Sequence, residues 1–194
     1  MKRLLFILPF LVLVSFSKIN PAKTSTSVLI TPQSELHIKG TSNVSDFTCQ
    51  YNIQNLDEPI RVHYEKLNDV IRFENSMLIL ENNGFDCGGK GINRDFHGLL
   101  KSDEYPRIIL RLKQINLKPN KEHTADAQIE IEIAGLTHTY HMETEFHQKE
   151  DWHISGQLKL NIKDFGLKAP KKMLGLIVVS KEIQINFDLI IKEC

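Results

Sequence analysis

Hydrophobic and polar residues alternate one by one over most of the chain, the period of strands with one buried face. ELHIKG places Leu36 and Ile38 on one side, and FTCQYNI alternates from Phe47 to Ile53. IRVHYEKL and SMLILE follow. PRIILRLKQINL sets Ile108, Leu110 and Leu112 against Arg111 and Lys113. AQIEIEIAG is the cleanest run, with Ile129, Ile131 and Ile133 facing in and Glu130 and Glu132 facing out. HTYHMETEF, HISGQLKLNI and EIQINFDLII continue the pattern. Turn signals at Asn82-Asn83-Gly84, Pro119-Asn120, Ala134-Gly135 and Gly166 separate the runs.

The pattern predicts about eight or more strands. Residues 92–102 read as the one helix, with a weak helical turn at 170–174. No strand–helix alternation occurs, which excludes a parallel doubly wound sheet. Long antiparallel strands with one apolar face must hide that face on themselves, and closure also removes exposed edges. The expected class is all-β, a lipocalin-like antiparallel barrel of about eight strands with one short helix near the mouth.

The first residues break this pattern. MKRLLFILPFLVLVSFS has a basic start at Lys2 and Arg3, an apolar run from Leu4 to Val14, and small residues before Ser17. Residues 1–17 are expected to be a cleaved secretory signal peptide, because a membrane span needs about 20 apolar residues. No cysteine follows the apolar run, so a lipid anchor is not indicated. KINPAKTSTS (18–27) reads as a flexible mature N-terminus, and 28–194 as one barrel domain. The destination is the periplasm or the exterior. An exported protein meets an oxidising compartment, and Cys49 and Cys87 each border a strand-like run. They are expected to pair, with two buried free thiols as the alternative. Cys194 is left over at the terminus.

Formal net charge is zero, from 24 Lys and Arg against 24 Asp and Glu, so the chain as a whole is expected to carry no electrostatic footprint for nucleic acid or for an anionic membrane surface. The glycine-rich stretch CGGKGINRDFHGLLKSDEYP (87–106) invites a phosphate-loop reading. It lacks the Ser or Thr after the lysine of a Walker loop. Arg94 stands where the last glycine of a dinucleotide fingerprint belongs, and no βαβ unit surrounds it. The eight histidines form no HExxH, and no CxxC occurs, so no metal site is expected. His138 and His141 lie three apart on a strand and point to opposite faces. No G-x-S-x-G elbow is present, and no catalytic constellation assembles. What remains is an apolar interior and one amphipathic helix. Phe96, Leu99 and Leu100 share a face of it, with Arg94, His97 and Lys101 opposite.

Four segments taken in order carry a resemblance. They are ELHIKGTSNVSDFTC, FDCGGKGINRDFHGLLKSDEYPRIILRL, IEIAGLTHTYHM and DFGLKAPKKMLGLIVVSKEIQINFDLII. Together they resemble the YceI-like family over nearly all of the mature chain. The resemblance implies an exported bacterial protein with a lipocalin-like barrel, several members of which hold a polyisoprenoid or isoprenoid-quinone chain. It implies a Cys49–Cys87 bridge and a helix over 92–101 near the barrel mouth. The chain departs from the family at Phe96-His97-Gly98, where relatives often carry a Met- or Ala-rich helix. It departs again at Ala169-Pro170, where a Pro-Pro pair is common.

The expected function is therefore non-catalytic: an isoprenoid, quinones included, carried or sequestered inside the barrel, with no other cofactor. The expected cavity residues are Leu36, Ile38, Phe47, Phe73, Phe96, Leu99, Ile108, Leu110, Leu112, Ile129, Ile131, Leu158, Leu160, Phe165, Ile185 and Phe187. Asn93, Arg94 and His97 are the expected head-group contacts. Partners are limited to the apolar lipid, transient membrane contact and at most a second copy of the chain. The alternatives are a filled barrel that presents its loops to a partner, and an enzyme or haem-linked accessory, for which no supporting motif exists.

Overall fold

Each strand with one apolar face needs a neighbour on both edges, and the chain supplies them by closing on itself. The structure is a computed structural model and describes residues 23–169, 171–172 and 177–194. The strands are β1 (Lys23–Ile30), β2 (Glu35–Ser42), β3 (Asp46–Tyr51), β4 (Ile60–Leu67), β5 (Val70–Glu74), β6 (Met77–Glu81) and β7 (Phe85–Asp86). The helix α1 (Lys90–Leu100) follows, then β8 (Arg107–Leu117), β9 (Thr124–Ile133), β10 (Leu136–Gln148), β11 (Trp152–Asn161), β12 (Lys171–Lys172) and β13 (Ile177–Glu193). The order β1-β4-β5-β8-β9-β10-β11-β13 returns to β1 through Val28↔Glu193 and Ile30↔Ile191, closing a ring of eight antiparallel strands.

Two walls of the ring are broken strands, which is why more than eight segments are present. β1 and β2 share one edge of β13, interrupted at Thr31–Ser34. Buried Ser34 covers the break, its hydroxyl accepting from the Ile190 N–H at 2.9 Å. β5 and β6 likewise share an edge of β8, opposite a register shift between Leu112 and Gln114. At one end the barrel is therefore walled by β1, β4 and β5. At the other it is walled by β2, β3, β6 and the short β7, which pairs with β3.

The two ends differ in what covers them. α1, the 42–45 hairpin turn, the 134–135 turn and the 3₁₀ turn Ile162–Phe165 gather at one, the helix end. The 68–69, 118–123 and 149–151 connections gather at the other. Core packing follows the same division. Leu36, Ile38, Leu80, Phe85, Leu100, Ile108, Ile131 and Phe165 are buried towards the helix end. The face assignment read from AQIEIEIAG holds: Ile131 is fully buried, while Glu132 and Glu130 lie outside and pair with Arg111 (2.8 Å) and Lys113 (3.7 Å).

Three expectations shift. Residues 23–27, expected as flexible chain, form the first part of β1, because Thr24 and Thr26 sit in register with Tyr64 and Val62 of β4. The helix starts at Lys90 and ends at Leu100, not 92–102; Lys101 takes the left-handed conformation (φ 54°) that ends it. Within 170–174, where a helical turn was expected, Lys171 and Lys172 instead pair with Val178 and Ile177 as β12. Residues 1–17, the expected signal peptide, lie outside the described residues, as do 18–22.

Candidate functional site

The candidate site is the barrel interior beneath α1. The helix forms because the glycines turn the chain off β7: Gly88 has φ 84°, a left-handed conformation suited to glycine. Its root is then tied down. Asn93 accepts from the Cys87 N–H through Oδ1 (2.7 Å) and donates to Asp86 through Nδ2 (2.9 Å). The Gly88 N–H donates to the same Asp86 oxygen (3.0 Å), and these two donors hold the Asp86 carboxyl below the usual range. Cys87 is bridged to Cys49 on β3, so the helix hangs from a cross-linked strand.

The inner face of α1 turns Phe96, Leu99 and Leu100 onto a cavity of about 60 Å³. Its walls are almost wholly aliphatic and aromatic, with Ser180 the one hydroxyl side chain. Phe85 links the helix to β3, 5.3 Å from Phe96 and 4.9 Å edge-on from Tyr51. Burial pushes the Tyr51 phenol above its ordinary value. Beside Phe165, the Tyr140 phenol is pushed up by burial and by donating to Asp164 at 3.0 Å. Both tyrosines are thus neutral hydroxyls at physiological pH, and neither is poised as a base.

Beyond this cavity the lumen continues along inward register positions. Leu112 faces Ile129, Ile129 faces Tyr140, and Tyr64 faces Phe73 across their strand pairs. Ile154 faces Leu189, and Trp152 faces Ile191. Tyr64, Phe73, Leu112, Ile129, Trp152, Ile154 and Phe187 are all half-buried. The packing is therefore tightest beneath the helix and looser around these larger side chains, with Ile30, Ala127 and Met142 buried among them.

Of the expected cavity residues, Leu36, Ile38, Phe47, Phe96, Leu99, Ile108, Leu110, Ile131 and Ile185 line the cavity beneath the helix. Phe73, Leu112, Ile129 and Phe187 lie farther along the lumen. Leu158 and Leu160 are buried core of β11, and Phe165 is buried in a 3₁₀ turn against His138 and Tyr140. Leu80, Phe85, Leu100, Ile133, Ile162, Leu167, Val179, Ser180 and Ile183 also line the cavity, beyond the residues expected to do so. The alternation that selected Ile131 and Ile185 extends to Ile133 and Ile183, so the signal was present. Ile162 and Leu167 come from an irregular connection with no period to read. Asn93, Arg94 and His97 do lie together, but on the solvent side of α1, where they line an open groove of about 730 Å³. Among the described residues no cluster of three or more His, Cys, Asp or Glu is arranged to hold a metal.

Residues 18–191 match the model of the YceI-like domain. The chain belongs to the YceI-like family. Its barrel is similar to that of BcnA from Burkholderia cenocepacia, at 15% identity and a TM-score of 0.55, covering 81% of this chain and 96% of that one. It is similar also to a polyisoprenoid-binding domain from Saccharophagus degradans implicated in plant cell wall breakdown. There the identity is 12% and the TM-score 0.57, over 89% of this chain and 99% of that one. A YceI protein of Campylobacter jejuni matches at 13% identity and a TM-score of 0.51, over 61% and 71%. No curated protein matches the sequence. At these identities the likeness is one of fold. In this YceI-like barrel the fold leaves one apolar lumen, capped by α1 and carrying no charged side chain where the cavity is tightest.

Proposed function

We propose that this YceI-like chain is an exported, non-catalytic lipid-binding protein that carries or sequesters an isoprenoid or isoprenoid-quinone chain in its barrel. The observation that carries the reading is the lumen. It is largely apolar from the cavity beneath Phe96 to Trp152, and its larger inward side chains in the second half of that path, Tyr64, Phe73, Trp152, Ile154 and Phe187, are only half-buried. Such a surface favours an apolar chain, each buried CH₂ contributing about 0.8 kcal/mol, or up to about 4 kcal/mol per five-carbon unit before ordering costs. The polyisoprenoid-binding domain of Saccharophagus degradans shares the fold, which supports the choice of an isoprenoid. Export is supported by the Cys49–Cys87 bridge, which belongs to an oxidising compartment, and by the signal-like residues 1–17.

One observation favours a filled barrel that serves as an interaction domain. The cavity beneath α1 holds about 60 Å³, against about 300–1,000 Å³ for common ligand sites. Organic extraction and native mass spectrometry of protein purified from its own host separate the two. A carrier yields a stoichiometric isoprenoid and a mass shift that extraction removes. Lipid-free protein whose melting temperature does not respond to added quinone would overturn the carrier reading.

A further inference from the structure

The helix end of the barrel presents apolar side chains that the fold holds in water. Three of the six large apolar side chains exposed among the described residues are there: Val44 (64%), Leu136 (46%) and Val178 (44%). Each adjoins the cavity. Val178 precedes the cavity residue Val179, Leu136 pairs with the cavity residue Ile133, and Val44 is three residues from Phe47. Val44 is not exposed by looseness. The Ser42 hydroxyl accepts from the Val44 and Ser45 N–H groups (3.2 and 3.1 Å) and donates to the Ser45 carbonyl (2.8 Å). The Val178 N–H donates to Asn43 Oδ1 at 2.9 Å, and the Asn43 N–H returns a bond to the Val178 carbonyl at 3.2 Å. A turn tied to two strands thus displays a valine, where turn chemistry favours Gly, Asn or Asp.

Across the same cavity, the outer face of α1 carries cations. Lys90, Arg94, His97 and Lys101 stand at i, i+4, i+7 and i+11, one stripe of a helix, and line the open groove. Among the described residues no ion pair engages Lys90, Arg94 or Lys101, whereas Lys113 on the barrel wall and Lys118 and Lys121 in the 118–123 connection are all paired. His97 Nε2 is buried without a hydrogen-bond partner. Asp103 and Glu104 line the groove as well, and Glu104 is engaged by the Tyr105 hydroxyl. Exposed Lys168 adds a further cation beside the cavity residue Leu167.

We propose that this end of the barrel docks on an anionic bilayer surface. The Val44, Val178 and Leu136 side chains enter the head-group layer, and lipid phosphates occupy the groove at Lys90, Arg94, His97 and Lys101. Apolar tips beside unpaired cations are the two components of reversible interfacial binding. The orientation places the α1-capped end of the apolar lumen against the phase that holds its cargo. The proposal rests on the lipid-carrier reading for its purpose, but not for its test.

The test is co-sedimentation with phosphatidylcholine vesicles, with and without phosphatidylglycerol, at low and high salt. Binding is expected to the anionic vesicles and to fall with salt. Each surface lysine or arginine contributes about fivefold, so K90Q/R94Q/K101Q together weaken partitioning about a hundredfold. Val44→Asp, at an exposed turn, weakens it without changing the melting temperature. Leu67→Asp, also exposed but at the opposite end (42%), leaves it unchanged. Equal binding to neutral vesicles, full binding by the charge variant, or equal losses from Leu67→Asp and Val44→Asp would each overturn the proposal. So would a groove that binds inorganic phosphate, followed through the His97 ring resonances, in a protein that ignores vesicles. Lipid extraction is read separately: docking without extractable lipid removes the cargo reading alone, and extractable lipid without docking removes only this one.

Discussion

Breaking the Cys49–Cys87 bridge is the perturbation with the best-defined cost. The two cysteines are 38 residues apart, and a cross-link closing a loop of that length lowers the entropy of the unfolded chain by an amount worth about 4 kcal/mol. That is a large share of the roughly 5–15 kcal/mol typical of a domain. It corresponds to a fall of about 8–16 °C in Tm for a protein of this size. Both cysteines are buried, Cys49 at 0% and Cys87 at 8% exposure, so C49A/C87A also loses packing. Reduced wild-type protein is therefore the companion measurement. Urea unfolding of the oxidised, reduced and double-alanine forms should show a loss of about 4 kcal/mol on reduction. The m-value should rise, because the uncrosslinked unfolded chain exposes more surface. A loss below about 1 kcal/mol on full reduction would show that the 49–87 segment is held by its strand pairing alone, and the loop-entropy reasoning would fail.

Other outcomes follow from single contacts. Asn93→Ala removes the bonds to Cys87 and Asp86 at the helix root and should cost about 1–2 kcal/mol; an NMR titration should find the Asp86 pKa moved up towards its ordinary value. Lys118 and Lys121 hold the Glu143 carboxyl down to about 2, from 4.5. The stability this contributes is present above the unfolded value and is lost as pH falls from 4.5 towards 2, so Glu143→Gln should flatten that part of an acid-unfolding profile. Ile131→Ala, at a fully buried position, should cost about 2–5 kcal/mol and enlarge the cavity, so any bound lipid should recover part of the loss in a thermal melt.

Much of the fold was legible because period two leaves little freedom: once Ile131 faces in, Leu110 opposite it must do so too. The two broken walls were not legible, since nothing in Thr31–Ser34 or Asn75–Ser76 states that the flanking strands share one edge. That is a property of pairing, which only the register reveals. The site was half legible. Phe96, Leu99 and Leu100 were placed on the cavity face by helical spacing, and they are there. Arg94 and His97, set opposite that face by the same spacing, line the outer groove. Both thus turn away from what Phe96 touches.

A narrow cavity is compatible with the carrier reading, because an empty void is costly. Holding open a void of about 300 Å³ at about 24 cal/mol per Å³ would cost about 7 kcal/mol, comparable with the whole stability of a domain. Lining side chains such as Phe47, Phe96 and Leu99 should therefore close over the space when no chain occupies it. Reopening it must be offset by the cargo, at up to about 4 kcal/mol per prenyl unit. Two units just balance the void, and ordering the chain raises the requirement. Affinity should thus show a threshold. Prenols of one unit should leave Tm unchanged, and those of several units should raise it progressively until the lumen between Phe96 and Trp152 is filled. A one-unit prenol that raises Tm as much as a long one would mean that the cavity binds a small apolar group without opening, and the cost assigned to the void would be wrong.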